Sequence, residues 1–142
     1  MIEVQRSTTL PADVLWDVLS DLRGWPSWLP TVDTATPLDP GRADGPGAAY
    51  VLEQPGLPRA TWTVTDWQPG RSFTWESRSP GIRSTGIHEL LPSDGGTTIR
   101  LALQWTGLLA RPLEWVIGAK SRDYVTREAA ALEATAAARA GA

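Results

Sequence analysis

Apolar and polar positions alternate at the start of the chain, switch to a helical period, then alternate again through most of the sequence. Ile2 and Val4 alternate with Glu3 and Gln5, which predicts a strand over residues 2–9. Pro11 suits a first helical turn, where its missing N–H costs nothing, and Val14, Leu15, Val18 and Leu19 then share one face. Gly24 and Pro26 end that helix, Trp25-Pro26-Ser27-Trp28-Leu29 allows one further turn, and Pro30 closes it. A short strand over 31–36 precedes a polar loop from Pro37 to Gly47. Strands over 48–54, 59–67, 72–78, 82–91 and 97–106 follow, separated by short Pro- and Gly-containing turns, the signature of an antiparallel meander. From Leu108 the period turns helical, with Pro112 near the start and Leu113, Val116, Ile117, Tyr124, Val125 and Leu132 recurring. The alanine-rich end, Ala129 to Ala140, has high helix propensity but little to bury beyond Leu132, so its last residues are expected to fray. No repeat or boundary interrupts the pattern, and a single α+β domain over 1–142 is expected.

The turns also predict a register, because directly opposed residues of an antiparallel pair share a face. A tight turn at Pro80-Gly81 sets Phe73 against His88, Trp75 against Gly86 and Ser77 against Ser84. The turn Ser93 to Gly96 sets His88 against Leu101, Gly86 against Leu103 and Ser84 against Trp105. Pro69-Gly70 opposes Val64 to Trp75 and Asp66 to Phe73, and the turn Pro55 to Pro58 opposes Val51 to Trp62. One face then carries Trp62, Val64, Phe73, Trp75, His88, Leu101, Leu103 and Trp105, while the other is rich in threonine and charge and reads as solvent-facing.

Composition adds one anomaly. Eight tryptophans stand against one phenylalanine and two tyrosines, an excess that suits packing on a curved sheet, the lining of a cavity, or both. Charge is mixed, 13 basic against 16 acidic residues, and the net of −3 argues against an electrostatic nucleic-acid or membrane binder. Without cysteine and with one histidine, the chain offers no disulfide, thiolate or common zinc site, and no cofactor or metal is expected. No apolar run reaches the ~20 residues that span a bilayer, and no basic-then-apolar leader precedes the first strand, so membrane insertion is not expected and a cytoplasmic location is. Frequent Ala, Gly, Arg and Pro suggest a GC-rich bacterial genome.

Three segments carry a resemblance: Leu10-Pro11-Ala12-Asp13-Val14-Leu15-Trp16 at the helix start, Val64-Thr65-Asp66-Trp67-Gln68-Pro69-Gly70-Arg71, and Gly95-Gly96-Thr97-Thr98-Ile99. In their order and spacing, over essentially the whole chain, they resemble the START-like (SRPBCC) superfamily, which includes the polyketide cyclase/dehydrase, aromatase and pathogenesis-related allergen families. The resemblance implies a helix-grip fold: a curved antiparallel sheet of about seven strands, with two short N-terminal helices, wrapped around a long C-terminal helix. It also implies a cavity between sheet and helix, where relatives hold lipids, sterols or polyketides.

On that frame the expected partner is one small hydrophobic or aromatic molecule, and Trp28, Val51, Trp62, Val64, Phe73, Trp75, His88, Leu101, Leu103, Trp105, Ile117, Ser121 and Tyr124 are expected to contact it. Trp25, Trp28 and the polar loop are placed at the mouth, with Leu113 and Val125 also turned inward from the long helix. His88, the only histidine, lies on the apolar face and is either a core histidine, a polar anchor, or the acid/base of a cyclase or dehydratase. Glu53 shares the parity assigned to Val51, while Asp66 falls two strands from His88, too far for direct pairing. Aromatase/cyclase relatives use pocket arginine, tyrosine and histidine groups; here Arg83 falls on the polar face, Arg122 on the outer side of the helix, and Arg6 at a strand end. No phosphate-binding loop, nucleophile elbow or metal-ligand spacing occurs.

Overall fold

The computed structural model describes residues 1–141; Ala142, the last residue of the expected domain, lies outside the described residues. Strand β1 (Ile2–Thr8) leads to helix α1 (Ala12–Leu19) and a 3-10 helix (Leu22–Ser27). Six strands follow: β2 (Thr34–Pro37), β3 (Ala49–Glu53), β4 (Ala60–Gln68), β5 (Ser72–Ser79), β6 (Ile82–Ser93) and β7 (Gly96–Thr106). Helix α2 (Ala110–Ala140) closes the chain. The strands form one curved seven-stranded sheet, order β1-β7-β6-β5-β4-β3-β2, in which every neighbouring pair is antiparallel. The two short helices and α2 cover one face of it, the helix-grip arrangement the sequence resembles. Among the described residues no helix is long and apolar enough to cross a membrane.

The register follows the turns through β5, β6 and β7. Phe73 opposes His88, Trp75 opposes Gly86, and Ser77 opposes Ser84; His88, Gly86 and Ser84 in turn oppose Leu101, Leu103 and Trp105. Two expected pairings are corrected. Between β4 and β5, Val64 opposes Trp75 as expected, but a bulge follows, so Asp66 opposes Thr74 and Trp67 opposes Phe73. The extra residue turns Asp66 out to solvent and brings Trp67 inward, 5.6 Å from Phe73 and 5.2 Å from Trp16 between ring centres. Between β3 and β4, Tyr50 rather than Val51 opposes Trp62, and Val51 opposes Thr61. The hydrophobic pattern decides this register: it buries Tyr50 and Leu52 and exposes Glu53, whereas the alternative would carry Glu53 inward along with Val51. Val51 and Glu53 therefore leave the cavity set.

Helix α2 packs on β1, β7 and α1. Its alanine-rich end is helical through Ala140, and Ala129 and Ala136 are buried alongside Leu132, which corrects the expectation that little beyond Leu132 is covered. Small side chains let α2 approach α1 and β1 closely there, so burial extends past the last large apolar residue. The opposite end differs: from Ala110 to Lys120 no residue of α2 is buried. The helix thus anchors by its C-terminal half and projects its N-terminal half along the open end of the sheet.

Candidate ligand cavity

Between β5, β6, β7 and the middle of α2 lies a cavity of about 80 Å³, room for several waters or a small organic group. Trp62 and Trp75 from the sheet and Trp25 from the 3-10 helix form its aromatic wall. Trp25 is fixed by donating its indole N–H to the Leu19 carbonyl at 3.0 Å, and its ring centre is 5.1 Å from that of Trp75. Leu52, Leu101, Leu103 and Val125 supply aliphatic surface. Leu57, on the β3–β4 turn, lies at the edge, where the Tyr124 hydroxyl donates to the Pro55 carbonyl. That hydrogen bond joins α2 to the turn across the cavity mouth.

Gly86 floors the site. A Cβ there would stand 2.8 Å from Trp75 Nε1 and 2.9 Å from its Cδ1, so the flat approach of this indole depends on the missing side chain.

The polar groups of the lining are Thr31, Gln54, His88, Ser121, Tyr124 and Glu128. His88 is 5% exposed and stacked on Phe73, ring centres 4.1 Å apart and planes 13° from parallel. Its Nδ1 lies 3.3 Å from the Phe73 carbonyl oxygen, an acceptor, so in the neutral ring Nδ1 carries the proton and Nε2 presents a lone pair. Nε2 lies 3.6 Å from Oε2 of Glu128, whose side chain is 14% exposed. Burial pushes the Glu128 carboxyl up from its ordinary 4.5 to about 8. Burial also lowers His88 from 6.5 to about 4, opposed only in part by the bond to Phe73. Both shifts favour the uncharged forms. At neutral pH the cavity therefore holds a carboxylic acid beside an imidazole lone pair, a proton donor and a proton acceptor side by side.

Of the residues predicted from sequence, Trp62, Trp75, His88, Leu101, Leu103, Ser121 and Tyr124 line this cavity. Phe73 lies beneath His88, and Val64 is buried in the core, opposite Trp75 on the neighbouring strand. Trp105 and Ile117 lie outside the lining, towards the N-terminal end of α2. Trp28 packs edge-on against Trp25 at 6.0 Å and leaves the wall to it; its indole N–H is buried without a hydrogen-bond partner. The polar loop is not at the mouth. It folds over Tyr50, whose hydroxyl donates to Asp44, and Asp44 is paired with Arg23 at 3.4 Å. Arg6 is paired with Glu133, Arg83 and Arg122 are exposed, and among the described residues no arginine lines the cavity.

Glu128 was missed by sequence reasoning. The inward series Ser121, Tyr124, Val125 continues at helical spacing to residue 128, but an acid there reads as solvated. Among the described residues, no group of three or more His, Asp or Glu side chains is placed to hold a metal ion.

Residues 1–140 match the family described as polyketide cyclase / dehydrase and lipid transport. Solved structures share the fold at low identity. The di-domain aromatase/cyclase StfQ of the steffimycin biosynthetic pathway superposes with a TM-score of 0.79 at 12% identity, over 99% of this chain and 51% of that one. The ZhuI aromatase/cyclase of a Streptomyces species gives 0.67 at 19% identity, over 98% of this chain and 94% of that one. The protein TTHA0849 of Thermus thermophilus gives 0.73 at 18% identity, over 97% of each chain. No curated protein sequence matches this chain.

Proposed function

Since the chain belongs to the polyketide cyclase / dehydrase and lipid transport family, we propose that it holds one small hydrophobic or aromatic molecule in the cavity between the sheet and α2. The observation that carries this reading is the composition of the cavity wall: three indoles and a rim of leucines around a few convergent polar groups. Stacking and burial on Trp25, Trp62 and Trp75 supply affinity at about 25 cal/mol per Å² of apolar surface, less the cost of ordering the ligand. Glu128 as an acid donates to a ligand carbonyl or hydroxyl oxygen, and His88 Nε2 accepts from a ligand hydroxyl. With no cation in the lining, the ligand end that reaches this pair is uncharged.

The His88–Glu128 pair favours a second reading, cyclisation or dehydration by proton transfer. In dehydration His88 Nε2 takes the proton from a carbon beside a carbonyl, the C=C bond forms as the neighbouring C–O bond breaks, and the Glu128 acid protonates the oxygen that leaves as water. In cyclisation the same deprotonated carbon bonds to a second carbonyl carbon of the ligand, whose oxygen takes the Glu128 proton. In both, the proton on His88 then returns to the Glu128 carboxylate. A walled cavity holds the reacting atoms in near-attack geometry.

The test begins with native mass spectrometry of the full chain purified from its own host, looking for a stoichiometric small molecule. The compound class found is then offered to wild type, His88→Gln and Glu128→Gln, and both binding and product are measured. Binding without product in all three supports a carrier. Product from wild type alone, with binding retained in the variants, supports the enzyme. A cavity that takes up no aromatic or polyketide-like compound overturns both.

A further inference from the structure

Four of the large apolar side chains that the fold leaves exposed lie within nine residues at the β7–α2 junction: Leu108 is 93% exposed, Leu109 52%, Trp115 87% and Val116 71%. They belong to the unburied N-terminal half of α2 and the turn that leads into it. Helical spacing puts Arg111 and Arg122 in the same column as Trp115, and Lys120 next to Val116 in the adjacent one. Among the described residues these three cations take no part in an ion pair; of the acids beside them, Glu114 is held by the N-terminal amine at 3.4 Å and Asp123 by Arg127 at 3.7 Å, while the Lys120 ammonium lies 5.9 Å from the Tyr124 ring centre. A chain with a net charge of −3 thus concentrates free positive charge around protruding apolar side chains.

We propose that this end of α2, with Leu108 and Leu109, docks on the surface of an anionic lipid bilayer. Three features select that occupant. Leu108 and Trp115, each about nine-tenths exposed, protrude as separate convex anchors, which a fluid acyl layer accepts without shape matching, whereas a protein partner needs a fitted pocket for each. Tryptophan suits the interface, its ring in the acyl boundary and its N–H among headgroups. Arg111 and Lys120 flank the anchors at one helical turn and Arg122 at two, where long stems lay their charge at headgroup level. A second copy of the chain fits poorly, because symmetric pairing through Trp115 would bring both sets of cations together. Docking also has a use: Lys120 adjoins the β3–β4 turn at Gly56, one turn from the Tyr124–Pro55 contact at the mouth, so the cavity would open beside the bilayer.

The experiment is co-sedimentation of the full chain with phosphatidylcholine vesicles, and with vesicles in which about 30% of the lipid is phosphatidylglycerol. Wild type is expected to pellet with the anionic vesicles and to be released by high salt. Trp115→Ser/Val116→Ser and Arg111→Glu/Lys120→Glu, all at exposed positions, are expected to keep the wild-type circular dichroism and to lose at least about tenfold in apparent affinity. Wild type remaining in the supernatant overturns the proposal, as does pelleting that either double variant leaves unchanged. A dimer seen by light scattering that Trp115→Ser/Val116→Ser dissolves, without vesicle binding, also overturns it and assigns the patch to self-association.

Discussion

Replacing Glu128 by glutamine should change how folding stability depends on pH, and the size and sign follow from the cavity. The carboxyl titrates near its ordinary 4.5 when unfolded and at about 8 in the fold. Between those values only the folded chain holds the proton, so stability falls by about 1.4 kcal/mol per pH unit and is lowest above 8. His88 runs the other way: its folded pKa of about 4 lies below the ordinary 6.5, so stability rises with pH across that interval and is lost as pH falls through 4. Between 4.5 and 6.5 the two slopes cancel, and from 6.5 to 8 Glu128 acts alone. Wild type should therefore be nearly pH-independent from 4.5 to 6.5 and then lose about 2 kcal/mol by pH 8. The other shifted groups, Glu3 and Glu133 lowered and Tyr50 and Arg100 raised, titrate outside this window. In Glu128→Gln only the histidine remains: stability should climb by about 2 kcal/mol from about pH 5 to 6.5 and then stay level. Urea unfolding at three pH values, for wild type and variant, reads this directly. A wild type that loses nothing between 6.5 and 8, or a variant that loses as much, would refute a buried neutral acid at this site.

Two further changes probe the cavity wall. Gly86→Ala puts a methyl group within 3 Å of the Trp75 indole and should push that ring into the cavity; a loss of about 1–3 kcal/mol in stability and weaker binding of aromatic probes are expected, measured by denaturation and by tryptophan fluorescence titration. Tyr124→Phe removes the contact to Pro55; amide exchange at Gly56 and Leu57 should quicken about fivefold, and ligand entry and exit with it, while overall stability changes by no more than about 1 kcal/mol.

Where local chemistry fixes the geometry, the sequence was a sufficient guide. Pro80-Gly81 and Ser93 to Gly96 are tight turns that leave one way to pair β5, β6 and β7, and the pairs around His88 followed from them. The β3–β4 connection runs from Gln54 to Arg59, long enough to accept either parity, and burial of Tyr50 and Leu52 settled it. The bulge after Val64 has no local signature; it exists because Trp67 gains a place beside Trp16 and Phe73, residues remote in the chain. The tryptophan excess proved to have several causes at once. Trp25 and Trp75 are both core and cavity wall, Trp16 and Trp67 fill the space under α1, and Trp115 stands in solvent.

Glu128 shows why the site was harder to read than the fold. Nothing near it in the chain marks it, because its partner His88 comes from β6, forty residues earlier, and the two meet only when α2 lies across the sheet. Their contact is poor as a structural bond: 3.6 Å is beyond a good hydrogen bond, and both groups lie where burial disfavours their charged forms. A leucine or methionine of similar size at either position would spare the fold that desolvation cost, since well-packed apolar residues often match or exceed a buried polar pair in stability. The stability at pH 8 that this pair removes has no structural return within the protein. It has one if a ligand oxygen enters between the two groups, accepting from the acid and donating to Nε2, because each then gains the short partner that neither finds in the other. The pair is thus better matched to an occupant of the cavity than to itself, and binding should raise the stability of wild type more than that of Glu128→Gln.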